Sequence, residues 1–303
     1  MSGHTQPTES RTRIAATMGK ARILSEAMPY IRRFAGALVV IKYGGSAMVD
    51  PELQDSFAAD VTLLSLVGLK PIIVHGGGPQ ISGAMAQAGI EPRWKDGLRV
   101  TDEETIKVVQ GVLAGQVNPE IVKLLVGHGA NAAGVTGVDG GLLTAEPRDP
   151  ELGFVGKVTR LDPTMLDGML ERNIVPVIAP IARGDDGNIY NLNADTAAGA
   201  IAGRLGAHKL IYLTDVEGLY RDASDPSTVI SRIRLGEMKE LLPSLEGGMV
   251  PKIESSVAAL DAGVRQAHIL DGRLQHSLLL EIFTPEGIGT MLTHDDWEPI
   301  HVR

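Results

Sequence analysis

A lysine followed by two glycines stands at the end of the first strongly apolar run of the chain. The run 38–41 predicts a buried strand, and Lys42, Gly44 and Gly45 follow it. In open α/β sheets ligands bind beyond the carboxyl ends of the strands, so this lysine is placed to face a ligand. The alternative is a lysine whose charged end simply reaches water.

Three glycines, Gly76, Gly77 and Gly78, separate a second apolar run from a helical pattern that begins at Pro79. Glycines before a helix expose backbone N–H groups and let an anion approach closely, so the sequence favours an anion site over a plain tight turn. We expect His75 to be packed or hydrogen-bonded rather than catalytic. Because no other histidine has ligand spacing to it, we expect no metal site.

Two helix starts bear on the chemistry. Thr101 and Glu104 have the spacing of a capping box, which predicts a helix beginning there. Pro251 is predicted to open another helix, so that Lys252 lies in its first turn and opposes the helix dipole at a cost of about 0.3–1 kcal/mol. An anionic ligand at that helix end would offset the cost, and so would Glu254.

Arg99, Asn191, Asn193 and Asp195 are the remaining polar candidates. An arginine can clamp a carboxylate with two parallel hydrogen bonds or be a solvated surface residue, and the sequence does not separate these interpretations. The other three precede a predicted helix, where Asn and Asp are ordinary turn and N-cap residues.

The elements around these residues repeat one pattern: an amphipathic helix, a glycine, a few polar residues and a short apolar strand. Glycine past a helix is the usual left-handed cap, and apolar runs without strict alternation fit strands buried on both faces. The repetition predicts an α/β fold, an αβα sandwich on a mainly parallel open sheet. The strands predicted in this way are 71–75, 133–136, 210–214 and 268–271.

Two stretches break the pattern. Residues 154–158 and the segments flanking 184–187 have the character of strands and a hairpin with Asp-Gly turn chemistry. The hairpin leads to a helix predicted from about 196 to 205. We place the boundary between two lobes near residue 196.

Residues 1–34 form an N-terminal extension. Apolar residues recur there at helical spacing among basic ones, which predicts an amphipathic helix that Pro29 bends or interrupts. Because the modest apolar side precedes the first core strand, we favour a helix that packs on the protein or in an oligomer over one on a membrane surface. The apolar positions are Ile14, Met18, Ala21, Leu24, Met28 and Ile31.

Composition and charge exclude several functional classes. The 303 residues carry 28 Lys+Arg against 37 Asp+Glu, a net charge of −9, and an acidic surface repels nucleic acid. Hydrophobic residues make up 44%, which excludes a disordered chain. With no cysteine, no apolar leader and no run near the about 20 apolar residues of a membrane span, we expect a cytoplasmic protein that contacts no membrane.

Taken in order, these segments resemble the amino acid kinase family, most closely its members that phosphorylate N-acetyl-L-glutamate. The resemblance covers about residues 23–292, and its motifs are specific as an ordered set, although each is weak alone. The motifs are 40–48 (VIKYGGSAM), 74–80 (VHGGGPQ), 97–101 (GLRVT), 191–195 (NLNAD) and 248–252 (GMVPK).

The resemblance implies transfer of the γ-phosphoryl group of ATP to the γ-carboxylate of N-acetyl-L-glutamate in arginine biosynthesis, with Mg²⁺ held mainly by the nucleotide phosphates. Lys42 and Lys252 would flank the transferring group, and Asp195 would orient both. An ionised carboxylate acceptor needs no general base, so positioning and charge stabilisation suffice. Residues 35–196 would form the lobe for the acyl amino acid and residues 197–303 the lobe for ATP. The implied phosphate-binding residues are Gly44, Gly45 and Gly76, and the implied substrate-binding residues are Gly77, Gly78, Arg99, Asn191 and Asn193.

The N-terminal helix resembles that of the arginine-inhibited members, in which such helices interlace dimers into a hexamer. The resemblance thus implies a homohexamer, a trimer of dimers, with L-arginine as an inhibitor. His268, Glu281 and Gly287 match the effector region, although they could be ordinary strand-end and turn residues.

Two alternatives stay open. A sister kinase could act on N-acetylaminoadipate or glutamate, since one methylene is worth only about 1–3 kcal/mol of discrimination. The chain could instead be a non-catalytic arginine sensor on the same scaffold, although the intact Lys42, Lys252 and Asp195 argue against that.

Overall fold

The computed structural model describes residues 7–222, 224–245, 247–284 and 287–298. The helices are α1 Pro7–Phe34, α2 Pro51–Leu66, α3 Gly78–Gln87, α4 Glu103–Val112, α5 Asn118–Gly127, α6 Thr164–Glu171, α7 Ala194–Leu205, α8 Leu235–Leu241, α9 Met249–Asp261 and α10 Ser277–Phe283. The strands are β1 Leu38–Tyr43, β2 Lys70–His75, β3 Trp94–Lys95, β4 Leu98–Arg99, β5 Ala132–Thr136, β6 Leu143–Pro147, β7 Gly156–Leu161, β8 Val175–Ala179, β9 Ile181–Gly184, β10 Ile189–Asn191, β11 Lys209–Thr214, β12 Arg232–Arg234, β13 Gln266–Asp271 and β14 Thr290–Thr293.

The central sheet has eight strands in the order β12-β14-β13-β11-β1-β2-β8-β5. Every neighbouring pair is parallel except β13 with β14. Helices cover both faces, so that Val40 of β1 packs into one apolar cluster while Val39 and Ile41 pack into the other. The predicted α/β sandwich with a mainly parallel sheet is confirmed, and the four predicted strands are β2, β5, β11 and β13.

Two smaller sheets lie beside the central one. A four-stranded sheet has the order β10-β9-β6-β7, and β9 and β10 form the predicted hairpin, which turns through Gly187 at φ +85°. Strands β3 and β4 form a second hairpin, which turns through Asp96 and Gly97 at φ +50° and +75°. These hairpins end at Asn191 and Arg99, two of the predicted site residues.

The N-terminal extension contains one long helix, α1. Pro29 lies inside it and the helix continues to Phe34, so the predicted interruption is absent. Met18, Leu24 and Met28 are exposed, whereas Phe34 is buried. The side chains of Ile14 and Ala21 lie outside the described part of the chain. Much of the predicted apolar face is therefore uncovered within the subunit.

The helix starts differ from the predicted ones by one or two residues. The N-cap of α4 is Asp102, not Thr101, and its carboxylate accepts from the backbone N–H of Thr105 at 3.0 Å. The capping-box prediction is wrong because a carboxylate one residue further on satisfies the first-turn N–H groups and suits the positive helix end. Similarly α9 begins at Met249 rather than at Pro251. None of the described helices is long and apolar enough to cross a membrane.

Candidate active site

Lys42, Asp195 and Lys252 meet at the carboxyl edge of the central sheet. Nζ of Lys42 lies 3.2 Å from Oδ1 of Asp195, and Nζ of Lys252 donates to Oδ2 at 3.0 Å. The three come from β1 and from the first turns of α7 and α9. The side chains are 12%, 8% and 17% exposed, so this charged triad is largely withdrawn from water.

Close packing of α7 on α9 brings the triad together. A Cβ added to Gly199 of α7 would lie 2.9 Å from the carbonyl oxygen of Ser255, and one added to Gly203 would lie 2.8 Å from Cβ of Ala262. Glycines at both positions let the two helices approach each other, which places Asp195 beside Lys252.

The charges of the triad do not cancel. Burial alone would raise the pKa of Asp195, but the charges of Lys42 and Lys252 outweigh it and hold the pKa below its usual range. Two ammonium groups and one carboxylate give (+2) + (−1) = +1. No second carboxylate of the described chain lies within ion-pair distance of either lysine, so this edge of the sheet is suited to an anion.

The turn after β1 is shaped to leave space for the lysine. A Cβ on Gly44 would lie 2.5 Å from Nζ of Lys42. Gly45 has φ +72°, and a Cβ there would lie 2.6 Å from Oδ1 of Asp215, which also accepts from the backbone N–H of Ser46 at 2.7 Å. No local pattern in the sequence indicates Asp215, although it follows β11, the strand that pairs with β1.

The glycine turn after β2 lies beside the first turn. The N–H of Gly76 donates to the carbonyl of Tyr43 at 2.8 Å, which joins the two turns. Gly77 is the N-cap of α3, and a Cβ there would lie 2.6 Å from Cδ2 of Leu113. The backbone N–H groups of Gly77 and Gly78 have no hydrogen-bond acceptor among the residues that the structure describes, so they are free to bind an anion.

Arg99 lies at one wall of a cavity of about 190 Å³. It is only 6% exposed, with Nη2 donating to Oγ of Ser82 at 2.7 Å and the guanidinium 4.4 Å from the centre of the Trp94 ring. Its partners are neutral, and no carboxylate in the described ranges pairs with it. A buried guanidinium without a counter-charge is suited to a carboxylate ligand, so the solvated interpretation is wrong.

All five predicted substrate-binding residues line the cavity, together with Gly76, which was predicted to bind phosphate. The five are Gly77, Gly78, Arg99, Asn191 and Asn193. The side-chain oxygen of Asn193 accepts from the N–H of Thr196 at 3.0 Å as the N-cap of α7, so it serves the helix as well as the cavity wall. Ala194, which directly precedes Asp195 of the triad, also lines the cavity. The cavity therefore reaches the residue next to the triad.

A second buried polar cluster contains His268, Glu281 and Gly287. Nδ1 of His268 lies 2.6 Å from Oε1 of Glu281, and a Cβ on Gly287 would lie 2.8 Å from Oε2 of Glu281. Lys209, which no motif in the sequence indicates, contacts Nε2 of His268 at 2.9 Å and donates to Gln266 at 3.0 Å. Burial lowers the pKa of Lys209 to about 8, although Glu281 opposes the change.

This second cluster is distant from the triad along the sheet. Lys209 is the first residue of β11 and Thr214, at the carboxyl edge, is the last. At about 3.3 Å per residue the two ends of the strand are about 16 Å apart. Across the described residues there is no group of three or more His, Cys, Asp or Glu that could hold a metal ion.

Comparisons of the sequence agree with one another. A model of the amino acid kinase family matches residues 37–271. An acetylglutamate kinase from Thermoanaerobacter sp. (strain X514) is 51% identical over 286 residues, covering 93% of this chain and 96% of that protein. An acetylglutamate kinase from Streptomyces avermitilis is 50% identical over 295 residues, covering 95% of this chain and 97% of that protein.

Comparisons of the structure find the same fold. N-acetylglutamate synthase from Neisseria gonorrhoeae, solved with coenzyme A and N-acetyl-glutamate, has a TM-score of 0.81 and 30% identity. The match covers 91% of this chain but only 64% of that longer one. Carbamate kinase from Giardia lamblia bound to AMP-PNP has a TM-score of 0.63 at 20% identity, covering 86% of this chain and 99% of that one, which is a likeness of fold alone.

Proposed function

The chain belongs to the amino acid kinase family, and from this premise we propose that its charged triad stabilises phosphoryl transfer to an acyl amino acid. The activity is that of an acetylglutamate kinase, the ATP-dependent phosphorylation of N-acetyl-L-glutamate in amino-acid biosynthesis. The observation that carries the assignment of residues is the buried triad with its excess positive charge. We propose a cytoplasmic location, where ATP is available.

The geometry of the triad supports the roles that we propose for its members. Lys42 and Lys252 contact opposite oxygens of one carboxylate, so Asp195 holds two like charges at a fixed separation. The ammonium groups then offset negative charge on the transferring phosphoryl group without reorganising. The acceptor carboxylate is already ionised at neutral pH, so the reaction needs no general base and Asp195 has a positioning role.

The glycine turns and Arg99 would hold the reactants. We assign the phosphoryl oxygens to the turns that contain Gly44, Gly45 and Gly76, and the acyl amino acid to the 190 Å³ cavity. We assign its α-carboxylate to Arg99 and Asn191, with Gly77, Gly78 and Asn193 at the cavity wall. We retain the division into residues 35–196 for this substrate and 197–303 for ATP, with Mg²⁺ held mainly by the phosphates. We also retain residues 1–34 as a separate N-terminal extension.

The test is release of ADP from MgATP by the purified protein with three acceptors. We expect a clear preference in kcat/KM for N-acetyl-L-glutamate over N-acetylaminoadipate and glutamate. Preference for either of the others would retain the mechanism and change the substrate. Absence of turnover with all three, in protein shown to be folded, would favour the non-catalytic sensor.

The second buried cluster supports regulation by L-arginine. Lys209, His268 and Glu281 bring mixed charge together at a buried site away from the cavity. The Neisseria gonorrhoeae synthase has also been solved with coenzyme A and L-arginine, with a TM-score of 0.77 and 28% identity. We propose that arginine binds at His268, Glu281 and Gly287 and inhibits the kinase. Activity that stays unchanged in millimolar arginine would contradict this.

The exposed apolar residues of α1 support an oligomer. We propose a homohexamer in which such helices from neighbouring dimers interlace. Its interfaces would bury the exposed side chains of Met18, Leu24 and Met28. The mass of the protein in solution tests this assembly, and a mass below six subunits would contradict it.

A further inference from the structure

A buried histidine and a buried asparagine stand directly behind the glycine turn of the active site. His75 is fully buried at the end of β2, and Asn118, at the start of α5, is 5% exposed. Nδ2 of Asn118 lies 3.1 Å from Nε2 of His75, and Nδ1 of His75 lies 2.8 Å from the carbonyl oxygen of Gly76. Neither side chain has a role in the charged triad.

The partners determine where the ring proton lies. The carbonyl oxygen of Gly76 can only accept, so Nδ1 of His75 must carry the proton. Nε2 is then an acceptor, and the amide nitrogen of Asn118 donates to it. The same amide donates to the carbonyl of Val177 at 2.9 Å and lies 3.4 Å from that of Val135. The two carbonyls can only accept, so they fix the orientation of the amide independently of the histidine tautomer.

This chain of hydrogen bonds fixes a peptide plane. The N–H of Gly76 donates to Tyr43 and its C=O accepts from His75, so the Gly76–Gly77 peptide is held on its carbonyl side. In a trans peptide the N–H points away from the C=O. The N–H of Gly77, which has no acceptor among the described residues, is therefore directed away from His75 in a turn that lines the cavity.

The surrounding backbone is adapted to Asn118. A Cβ on Gly134 of β5 would overlap Oδ1 of Asn118, so the strand admits only glycine there without displacing the amide. One turn of π-helix, Leu113–Val117, immediately precedes Asn118. An inserted residue in a helix rotates everything after it, and such turns are frequent at functional sites.

We propose that His75 and Asn118 are positioning residues that hold the Gly76–Gly77 peptide so that the N–H of Gly77 is directed at the phosphoryl group and its acceptor. The inference deepens the proposed function and depends on it. A preorganised N–H donor that acts on charge developing in the transition state is worth about 10²–10³ in kcat. Burial lowers the pKa of His75 to about 4, so the neutral ring persists at physiological pH.

Two substitutions at one position separate positioning from packing. His75→Asn keeps an amide nitrogen one bond from Cγ, where Nδ1 stands, and can still donate to Gly76. His75→Gln moves the amide one bond outward, towards the place of Nε2, and loses that donor. We expect His75→Gln to lower kcat about 100-fold and His75→Asn to retain it within about 5-fold, with the KM for ATP unchanged in both. The same two substitutions at His128, on the far end of α5 and paired with Asp55, are the controls.

The outcomes distinguish this inference from the proposed function. Wild-type turnover of N-acetyl-L-glutamate together with an undiminished kcat in His75→Gln would overturn the positioning role alone. Equal losses in the two His75 variants, in proportion to their loss of folded protein, would overturn it too. If neither variant folds, the ¹⁵N shifts of His75 in the wild type report the tautomer directly. An Nε2–H tautomer or an imidazolium at pH 7 would contradict the hydrogen-bond chain.

Discussion

The charge balance at Asp195 determines what substitution of each neighbouring lysine does. We expect Lys252→Ala to lower kcat by about 10²–10³ with little change in either KM, because an ammonium placed for the transferring group acts mainly in the transition state. Steady-state kinetics with MgATP and N-acetyl-L-glutamate measures both parameters. Lys107→Ala removes an exposed lysine from α4 and serves as the control.

An unchanged kcat in Lys252→Ala would remove this lysine from the mechanism. A rise in the KM for ATP at constant kcat would instead assign it to uniform binding of the nucleotide.

Gly44 allows a test that leaves every charge in place. Its φ of −174° is accessible to alanine, but the added Cβ would lie 2.5 Å from Nζ of Lys42. We expect Gly44→Ala to displace the ammonium and reduce kcat at least about 10-fold while the thermal midpoint changes little. Gly83→Ala is the matched control, because no atom lies within 4 Å of the added Cβ there. Equal kcat in the two variants would show that the turn does not constrain Lys42.

The sequence could identify site residues that belong to ordered motifs, but not those defined by strand pairing. Lys42 and Lys252 each stand at a recognisable strand end or helix start. Lys209 begins β11 and Asp215 directly follows it, and their significance depends on which strands lie beside β11. Strand β13 brings His268 near Lys209, and β1 brings Gly45 near Asp215. That adjacency comes from the order of the sheet, which no local pattern specifies.

At the scale of elements, the β3–β4 hairpin holds Arg99 over the cavity. Lys95 ties the hairpin to the connection between β6 and β7 by donating to Asp149 at 2.7 Å and to Glu151. We expect Lys95→Met to loosen the hairpin and raise the KM for N-acetyl-L-glutamate several-fold, with kcat and the KM for ATP close to the wild type. Lys107→Met is the control on an exposed helix face. A larger change for ATP than for the acyl amino acid would contradict this role of the hairpin.

The types of element could be predicted more reliably than their ends. Apolar runs and terminal glycines predict β2, β5, β11 and β13 because burial on both faces demands such runs. The start of α4 was misplaced because Thr101 and Asp102 are both good caps, and only the folded backbone shows that Asp102 accepts from Thr105. The π-helical turn before Asn118 was also missed, since an inserted residue leaves no compositional signal.

At the scale of the whole molecule, α1 leaves the apolar side chains of Met18, Leu24 and Met28 exposed in its own subunit. Removing residues 1–28 deletes exposed Met18 and Leu24 while sparing buried Phe34, which packs edge-to-face on His208 with ring centres 5.3 Å apart. We expect the truncated protein to form dimers instead of hexamers, to retain turnover and to lose its response to arginine. Light scattering and activity with and without arginine measure this. A truncated protein that remains hexameric would show that α1 does not join the dimers.

The triad also joins the two halves of the chain, since Lys42 precedes and Lys252 follows the predicted boundary, so it contributes to global stability. We expect Asp195→Asn to cost about 3 kcal/mol at pH 7, because it leaves two buried ammonium groups without a counter-charge. In the folded state the two lysines hold the pKa of Asp195 below its ordinary value of 3.8. The carboxylate therefore contributes stability that is fully present above that value and is lost as the pH falls through the folded pKa.

Urea unfolding of the wild type and of Asp195→Asn at pH 7 and at successively lower pH measures this contribution. We expect the difference between their free energies of unfolding to narrow only below about pH 4. A difference in free energy that stays constant or widens as the pH falls would mean that the lysines do not stabilise the ionised carboxylate. The triad could not then present its excess positive charge to a phosphoryl group.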